Sequence, residues 1–373
     1  MNFAFSDEQE ELRRLTRKWL EEKCPSSVVR RLMESDDGYD ASLWKENAAM
    51  GWQAMAIPED YGGAGFGFLE QVVLLEEMGR TLYPAPYLST AVMAANVLLD
   101  VGTEEQKQQY LPALAAGDLT ATVALTEPNG SWEESGVEAT ATATANGHIL
   151  NGTKSFVLDG HTAGLLIVAA RTSLGVSLFL VDAAHSGLSS RRLETMDMTR
   201  KLAEVIFDGV EVGPEAQLGE AGSGWRAIER MLAKAVVALA AEQVGGAQRC
   251  LDMSVEYAKV RHQFGRPIGS FQAIKHKCAD MLVQVESARS AAYYAAWAAA
   301  EDNDELPQVA PLAKSYCSEA FFFCAAENIQ IHGGIGFTWE HDAHLYFKRA
   351  KSSELLFGDP AHHRAVLATR LGL

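Results

Sequence analysis

Apolar residues recur at three- and four-residue spacing at the start of the chain, where Leu12, Leu15, Trp19 and Leu20 follow Ser6 and the polar turn Asp7-Glu8-Gln9. That spacing predicts an amphipathic helix capped by Ser6, because 3.6 residues per turn gather such positions into one stripe. A glycine-rich stretch from Asp60 to Gly67 interrupts the pattern. Helical periodicity returns over Leu69 to Met78 and from Thr103 through Leu114. Near Gly117 the pattern changes to Thr- and Val-rich runs with partial alternation, Leu119 to Leu125 and Val137 to Leu150, with Asn146-Gly147 as a turn between two runs. Similar short runs follow at Leu165 to Ala169, Val176 to Val181 and Ala203 to Phe207. Together they predict a compact antiparallel sheet domain or barrel.

After Gly224 the helical period holds to the end of the chain. Ile228, Met231, Ala235, Leu239, Gly246, Cys250, Met253 and Tyr257 trace one stripe; Ile274, Cys278, Met281 and Val285 trace another. The Ala-rich stretch from Ala291 to Ala298 has few charges on any face and is expected to pack between helices or subunits. Four or five long helices are predicted. The expected architecture is therefore α+β and multidomain: an N-terminal helical domain (1–118), a barrel-like β domain (119–223) and a C-terminal helical bundle (224–373).

Charge and composition narrow the function. The 373 residues carry 32 basic and 49 acidic side chains, a net charge of −17, with 48% hydrophobic residues. This is a soluble globular composition, and it argues against nucleic acid, whose phosphates need a basic surface. The first residues lack a basic stretch leading into an apolar core, and no apolar run approaches the roughly 18 to 20 residues of a membrane span. Cys24, Cys250, Cys278, Cys317 and Cys324 are odd in number and show no C-x-x-C spacing, so a reducing cytoplasm is expected, with the last four cysteines inside helices. His332, His341, His344, His362 and His363 lack a repeated ligand spacing, and no metal site is expected.

Three motifs carry chemistry. Leu125-Thr126-Glu127-Pro128 closes the first strand, and Asn151-Gly152-Thr153-Lys154-Ser155-Phe156 follows it. Arg261-His262-Gln263-Phe264-Gly265-Arg266-Pro267-Ile268 precedes Phe271-Gln272, and Gln330-Ile331-His332-Gly333-Gly334-Ile335-Gly336-Phe337 lies near the end. Taken singly they are a strand end, a charged helix end with an aromatic staple, and a weak glycine loop. Taken together, in the order helices, strands, helices, the chain resembles the acyl-CoA dehydrogenases from Phe5-Ser6-Asp7-Glu8-Gln9 to the last helix.

That resemblance implies an FAD enzyme that removes a proton from Cα and a hydride from Cβ of an acyl-CoA thioester, in fatty acid or sterol catabolism, passing electrons to an electron-transfer flavoprotein. It implies that Leu125 and Thr126 hold the flavin ring, where donors favour the charge that develops on reduction, and that Phe156 packs against it. Arg261 and Phe264, with Gln272, are implied to cover the pyrophosphate and adenine from a neighbouring subunit, and Gln330, Gly333 and Gly334 to approach the adenosine closely. An obligate oligomer, homomeric or built with a homologous chain, follows from a cofactor site that spans subunits.

The departures concern the base. Abstraction of the Cα proton needs a carboxylate, which the family places in a Tyr-Glu-Gly-Thr loop; here Ser353-Glu354-Leu355-Leu356-Phe357-Gly358-Asp359-Pro360 puts Phe357 at that position. The family's alternative position, on the preceding long helix, falls on Ala235 and Val236. Leu158 stands where a flavin-facing Thr is common, and Asn129-Gly130-Ser131-Trp132 replaces a more glycine-rich loop on the CoA side. Glu242, two turns beyond Ala235 in an apolar stretch, is the candidate replacement, with a neighbour-bonded structural role as its bland alternative. Asp359 is expected to cap a helix and Glu354 to be solvated. Two further readings stay open: a base-lacking subunit, like those of bacterial heteromeric acyl-CoA dehydrogenases, whose partner supplies the carboxylate; or a related flavin monooxygenase or oxidase.

Overall fold

A capping box opens the first helix. In the computed structural model, which describes residues 6–373, Ser6 Oγ accepts from the Gln9 N–H at 3.2 Å while the Gln9 side chain accepts from the Ser6 N–H at 3.0 Å. The helix, α1 (Asp7–Lys23), packs on α4 (Phe68–Thr81); α2 (Ser26–Glu34) and α3 (Ala41–Ala49) lie between them in sequence. Its buried face follows the predicted stripe only in part, with Leu20 buried and Leu12 and Trp19 half-buried. Thr16 and Leu20 are buried and Leu15 is half exposed, because α1 turns Arg13 and Arg17 toward the buried carboxylates Glu76 and Glu77 of α4. A π-helical turn (Leu88–Ala94) leads into α5 (Ala95–Val101), and α6 (Glu104–Ala115) begins with a second capping box, Thr103 with Gln106.

The chain forms two compact units. One comprises residues 6–31, 68–83 and 236–373; the other comprises 32–67 and 84–235. The second unit holds the sheet, whose strands are β1 (Ala121–Ala124), β2 (Thr140–Thr144), β3 (Gly147–Leu158), β4 (Leu165–Thr172), β5 (Gly175–Asp182), β6 (Leu188–Arg192), β7 (Leu202–Val212) and β8 (Gln217–Leu218). Their order is β6-β7-β3-β2-β4-β5-β8, with β1 paired to β4. The sheet is mixed rather than purely antiparallel, since β1 runs parallel to β4 and β2 makes one parallel bridge to it. The near-continuous apolar run of β4 is buried through its first six residues, as befits a strand covered on both faces. The β2–β3 hairpin turns through Ala145-Asn146, one residue earlier than expected, and Gly147 already pairs with Thr144.

Five helices close the chain: α7 (Gly224–Val260), α8 (Gln272–Ala300), α9 (Leu306–His332), α10 (Ala343–Leu355) and α11 (Pro360–Arg370). Between α7 and α8, β9 (His262–Gln263) and β10 (Arg266–Pro267) form a small hairpin. In the helical unit α4 and α7 cross at backbone contact distance. A Cβ on Gly79 would lie 2.0 Å from the Glu242 carbonyl oxygen, and one on Gly245 would lie 1.8 Å from that of Glu76, so only glycine fits at the crossing. The Ala-rich part of α8 is largely buried beside α9, as its lack of charge predicted. All five cysteines are free, and all are buried except the half-buried Cys278. Among the described residues no helix is long and apolar enough to cross a membrane, and no cluster of side chains suits a metal.

Candidate functional site

The sheet unit brings its two motifs side by side. The Ser155 N–H donates to the Thr126 carbonyl at 2.8 Å, and Thr126 Oγ1 donates to the Ser155 carbonyl at 2.6 Å. The Thr126 proton is therefore committed within the sheet, and the hydroxyl oxygen keeps only acceptor capacity. Beneath them lies a buried ion pair. Lys154 Nζ, fully buried, donates to Glu127 Oε1 at 2.6 Å and to the Leu125 carbonyl at 3.1 Å. Burial pushes the Lys154 ammonium below its ordinary value and Glu127 opposes that shift. Glu127 Oε1 also accepts from the Glu138 and Ala139 N–H groups, so one carboxylate ties three chain segments together.

Phe156 follows directly. The β3–β7 register slips between Lys154 and Val157, and Phe156 adopts φ 59°, a conformation costly for a residue with a Cβ. The bulge turns its ring outward while its neighbours Ser155 and Val157 stay buried; the ring is 46% exposed. Leu158 is buried. Asn129 of the next loop bonds the Gly136 carbonyl at 2.8 Å and folds an Asx turn onto the Ser131 N–H.

In the helical unit the other two motifs flank a ring stack. Tyr257, one turn before Arg261, stacks on His332 at 4.2 Å, and His332 precedes Gly333. Arg261, Phe264, Gln272, Gln330, Gly333 and Gly334 are all exposed. Phe264 is 90% exposed with φ 55°, an aromatic held out on a left-handed turn. Side-chain Cβ atoms on Gly333 and Gly334 would meet nothing within 4 Å, so their backbone is open to a ligand. An outward aromatic, a guanidinium, two carboxamides and bare glycine backbone suit a planar ring, a pyrophosphate and an adenosine, and the residues fit FAD on those grounds.

The base positions are apolar. Ala235 is fully buried in α7, and Phe357 is buried with φ 62° in the turn after α10. Lys314 Nζ and His363 Nε2 hold that turn, bonding the Gly358 carbonyl at 3.2 Å and the Phe357 carbonyl at 2.9 Å. Glu242 is buried and paired: Arg349 Nη1 of α10, itself buried, donates to Glu242 Oε1 at 2.7 Å. Asp359 caps α11, accepting from the His362 N–H at 2.8 Å, and this holds its carboxyl below the usual range. Glu354 is not freely solvated; its side chain is mostly covered and pairs with Lys351 at 2.8 Å. Sequence reasoning missed Arg349 altogether. An arginine inside the helix predicted before the Phe357 turn, facing a glutamate in an apolar helix, was the available signal.

Comparison with known proteins identifies the family. Residues 6–118 match the acyl-CoA dehydrogenase N-terminal domain, 122–210 its middle domain and 222–372 its C-terminal domain. The chain belongs to the acyl-CoA dehydrogenase family of flavin-dependent oxidoreductases. It is 37% identical over 358 residues to acyl-CoA dehydrogenase IpdE2 of Mycolicibacterium smegmatis, covering 95% of this chain and 96% of that one. Among solved structures it is similar to butyryl-CoA dehydrogenase from Megasphaera elsdenii, with a TM-score of 0.93 at 30% identity over the full length of both chains. It is also similar to the ChsE4-ChsE5 complex from Mycobacterium tuberculosis, with a TM-score of 0.92 at 31% identity, covering 100% of this chain and 99% of that one.

Proposed function

We propose that this chain is an FAD-dependent acyl-CoA dehydrogenase that desaturates an acyl-CoA thioester between Cα and Cβ and passes the electrons to an electron-transfer flavoprotein. The observation that carries this reading is that its cofactor motifs are presented outward on strained or glycine backbone, Phe156 on a bulge and Gly333-Gly334 on open chain, in a protein matching the family from residue 6 to 372. FAD, when bound, supplies the hydride acceptor.

The chain's own residues do the holding. The Leu125–Thr126 backbone and the Phe156 ring orient the flavin; Gln330, Gly333 and Gly334, with Arg261, Phe264 and Gln272, hold the adenosine and pyrophosphate of a neighbouring copy's cofactor. Exposed apolar side chains at Val260, Phe264, Val283 and Phe337 support a partner subunit over this surface. For the Cα proton, Glu242 is the candidate acceptor, because it is a buried carboxylate on α7 two turns beyond Ala235, held in place by Arg349 Nη1 at 2.7 Å.

One observation favours a second reading. Phe357 and Ala235 occupy both family base positions, and an oxygen of Glu242 is already engaged by Arg349. A homologous partner chain would then supply the carboxylate, and the neighbour solved as a two-protein complex supports such pairing. Glu242→Gln tests the choice: loss of substrate-dependent flavin bleaching assigns the base to Glu242, whereas undiminished bleaching removes it from the mechanism. A fully active homo-oligomer contradicts the partner reading.

A further inference from the structure

Tyr257 and His332 belong to different cofactor motifs and meet ring to ring. Tyr257 sits one helical turn before Arg261, whose N–H donates to the Tyr257 carbonyl at 2.9 Å; His332 follows Gln330 by two residues. Their rings stack at 4.2 Å with 26° between planes, and His341 covers the imidazole at 4.5 Å. His332 is buried although Gly333 and Gly334 beside it are exposed. Its Nδ1 lies 2.8 Å from the Asn328 carbonyl, an acceptor, which assigns the proton to Nδ1 in the neutral ring. His341 Nδ1 accepts from the Ala343 N–H at 3.1 Å, so that nitrogen is bare.

We propose that this cluster of three rings, a Tyr257–His332 stack with His341 tilted against it, is the joint that fixes the spacing between the Arg261–Gly265 turn and the Gln330–Gly334 segment, and that His332 is a positioning residue for the adenosine half of the cofactor. The proposal rests on the flavin reading given above. Elsewhere the 333–342 connection is tied at Trp339, whose carbonyl accepts from Arg30 Nη1 at 2.7 Å and His344 Nε2 at 3.1 Å, and at Asp342, which accepts from Arg30 Nε at 3.0 Å and Nη2 at 2.8 Å.

The joint is sensitive to charge. The groups around it are Tyr257 from α7, the Asn328 carbonyl from α9, Asp342, His344 and Lys348 around the start of α10, and Arg30 from α2. The carboxylate among these groups, Asp342, is already paired with Arg30 at 2.8 Å. Burial first, and then His341, push His332 below 6.5; burial also lowers His341, against the pull of Asp342. The ordered joint therefore prefers neutral rings. Its contribution is complete above pH 6.5 and is lost as the pH falls through the lowered values.

The test follows FAD release from the full-length holoprotein by flavin fluorescence between pH 5.5 and 8, for the wild type, His332→Ala and His332→Phe. Wild-type affinity is expected to fall with acidification, by at most about tenfold per pH unit for each linked proton. His332→Ala is expected to bind FAD more weakly at every pH. His332→Phe, which keeps a stacking ring without the titrating nitrogen, is expected to restore most of that affinity with a shallower pH slope. An identical slope in the wild type and the Phe variant, or undiminished affinity in the Ala variant, overturns the proposal alone. A wild-type chain that takes up no FAD at any pH overturns the flavin reading as well.

Discussion

Glu242 of α7 and Arg349 of α10 form a buried ion pair at 2.7 Å. Glu242 lies three residues after the Ala235-to-Leu239 apolar packing and three before Gly245, where α4 crosses α7, so the pair joins two helices at a point without room for rearrangement. Breaking one side of such a pair leaves the other charge buried and uncompensated, which costs about 3–5 kcal/mol.

Arg349→Met is accordingly expected to lower unfolding stability by about 3 kcal/mol or more in urea, and Glu242→Leu combined with Arg349→Met to recover much of that loss. A double variant no more stable than either single variant would show that the pair is not coupled as the geometry requires.

The Phe357 turn offers a gain-of-function prediction. Phe357→Glu, placed in a Glu242→Gln background, is expected to restore substrate-dependent flavin bleaching by on the order of 100-fold, the usual range for one positioned base. Stopped-flow absorbance reads it directly. A variant that binds FAD and acyl-CoA but bleaches no faster would remove this turn from the catalytic site.

Glu127 holds Lys154 and the Glu138–Ala139 backbone just ahead of β2 at the strand end carrying Leu125 and Thr126. Glu127→Gln is expected to reduce FAD content per chain and to lower the melting temperature by several degrees, since it leaves a buried lysine without its counter-charge. Full flavin occupancy with unchanged melting would contradict this role.

His363 predicts acid lability. Burial, then Lys314, lowers it from 6.5 to about 4, so its folded form favours the neutral ring. The stability it contributes is complete above pH 6.5 and is lost between 6.5 and 4, roughly 3 kcal/mol in all. Urea midpoints measured across that window should fall less steeply for His363→Gln than for the wild type.

Much of the fold was legible because local patterns agreed with tertiary packing. The Ser6 and Thr103 caps, the α7 stripe and the Ala-rich face of α8 all carry their own signals. Leu15 was misread since α1 buries charged partners of Glu76 and Glu77, and periodicity of apolar residues says nothing about a buried face that is polar. The parallel β1–β4 pairing was hidden for a related reason: strand patterns give faces, not neighbours. At the site, the motifs named Thr126, Phe156 and Gly333, but not the pairs that hold them. Lys154 with Glu127, Tyr257 with His332 and Glu242 with Arg349 join residues 27, 75 and 107 positions apart, a distance over which one sequence records no contact.

The most direct test of the account is anaerobic titration of the FAD-loaded chain with a panel of acyl-CoA thioesters, followed by flavin absorbance. Bleaching by at least one thioester is the predicted result. A chain that holds FAD and keeps its full absorbance across the panel would contradict the claim that it carries out acyl-CoA dehydrogenation with its own residues.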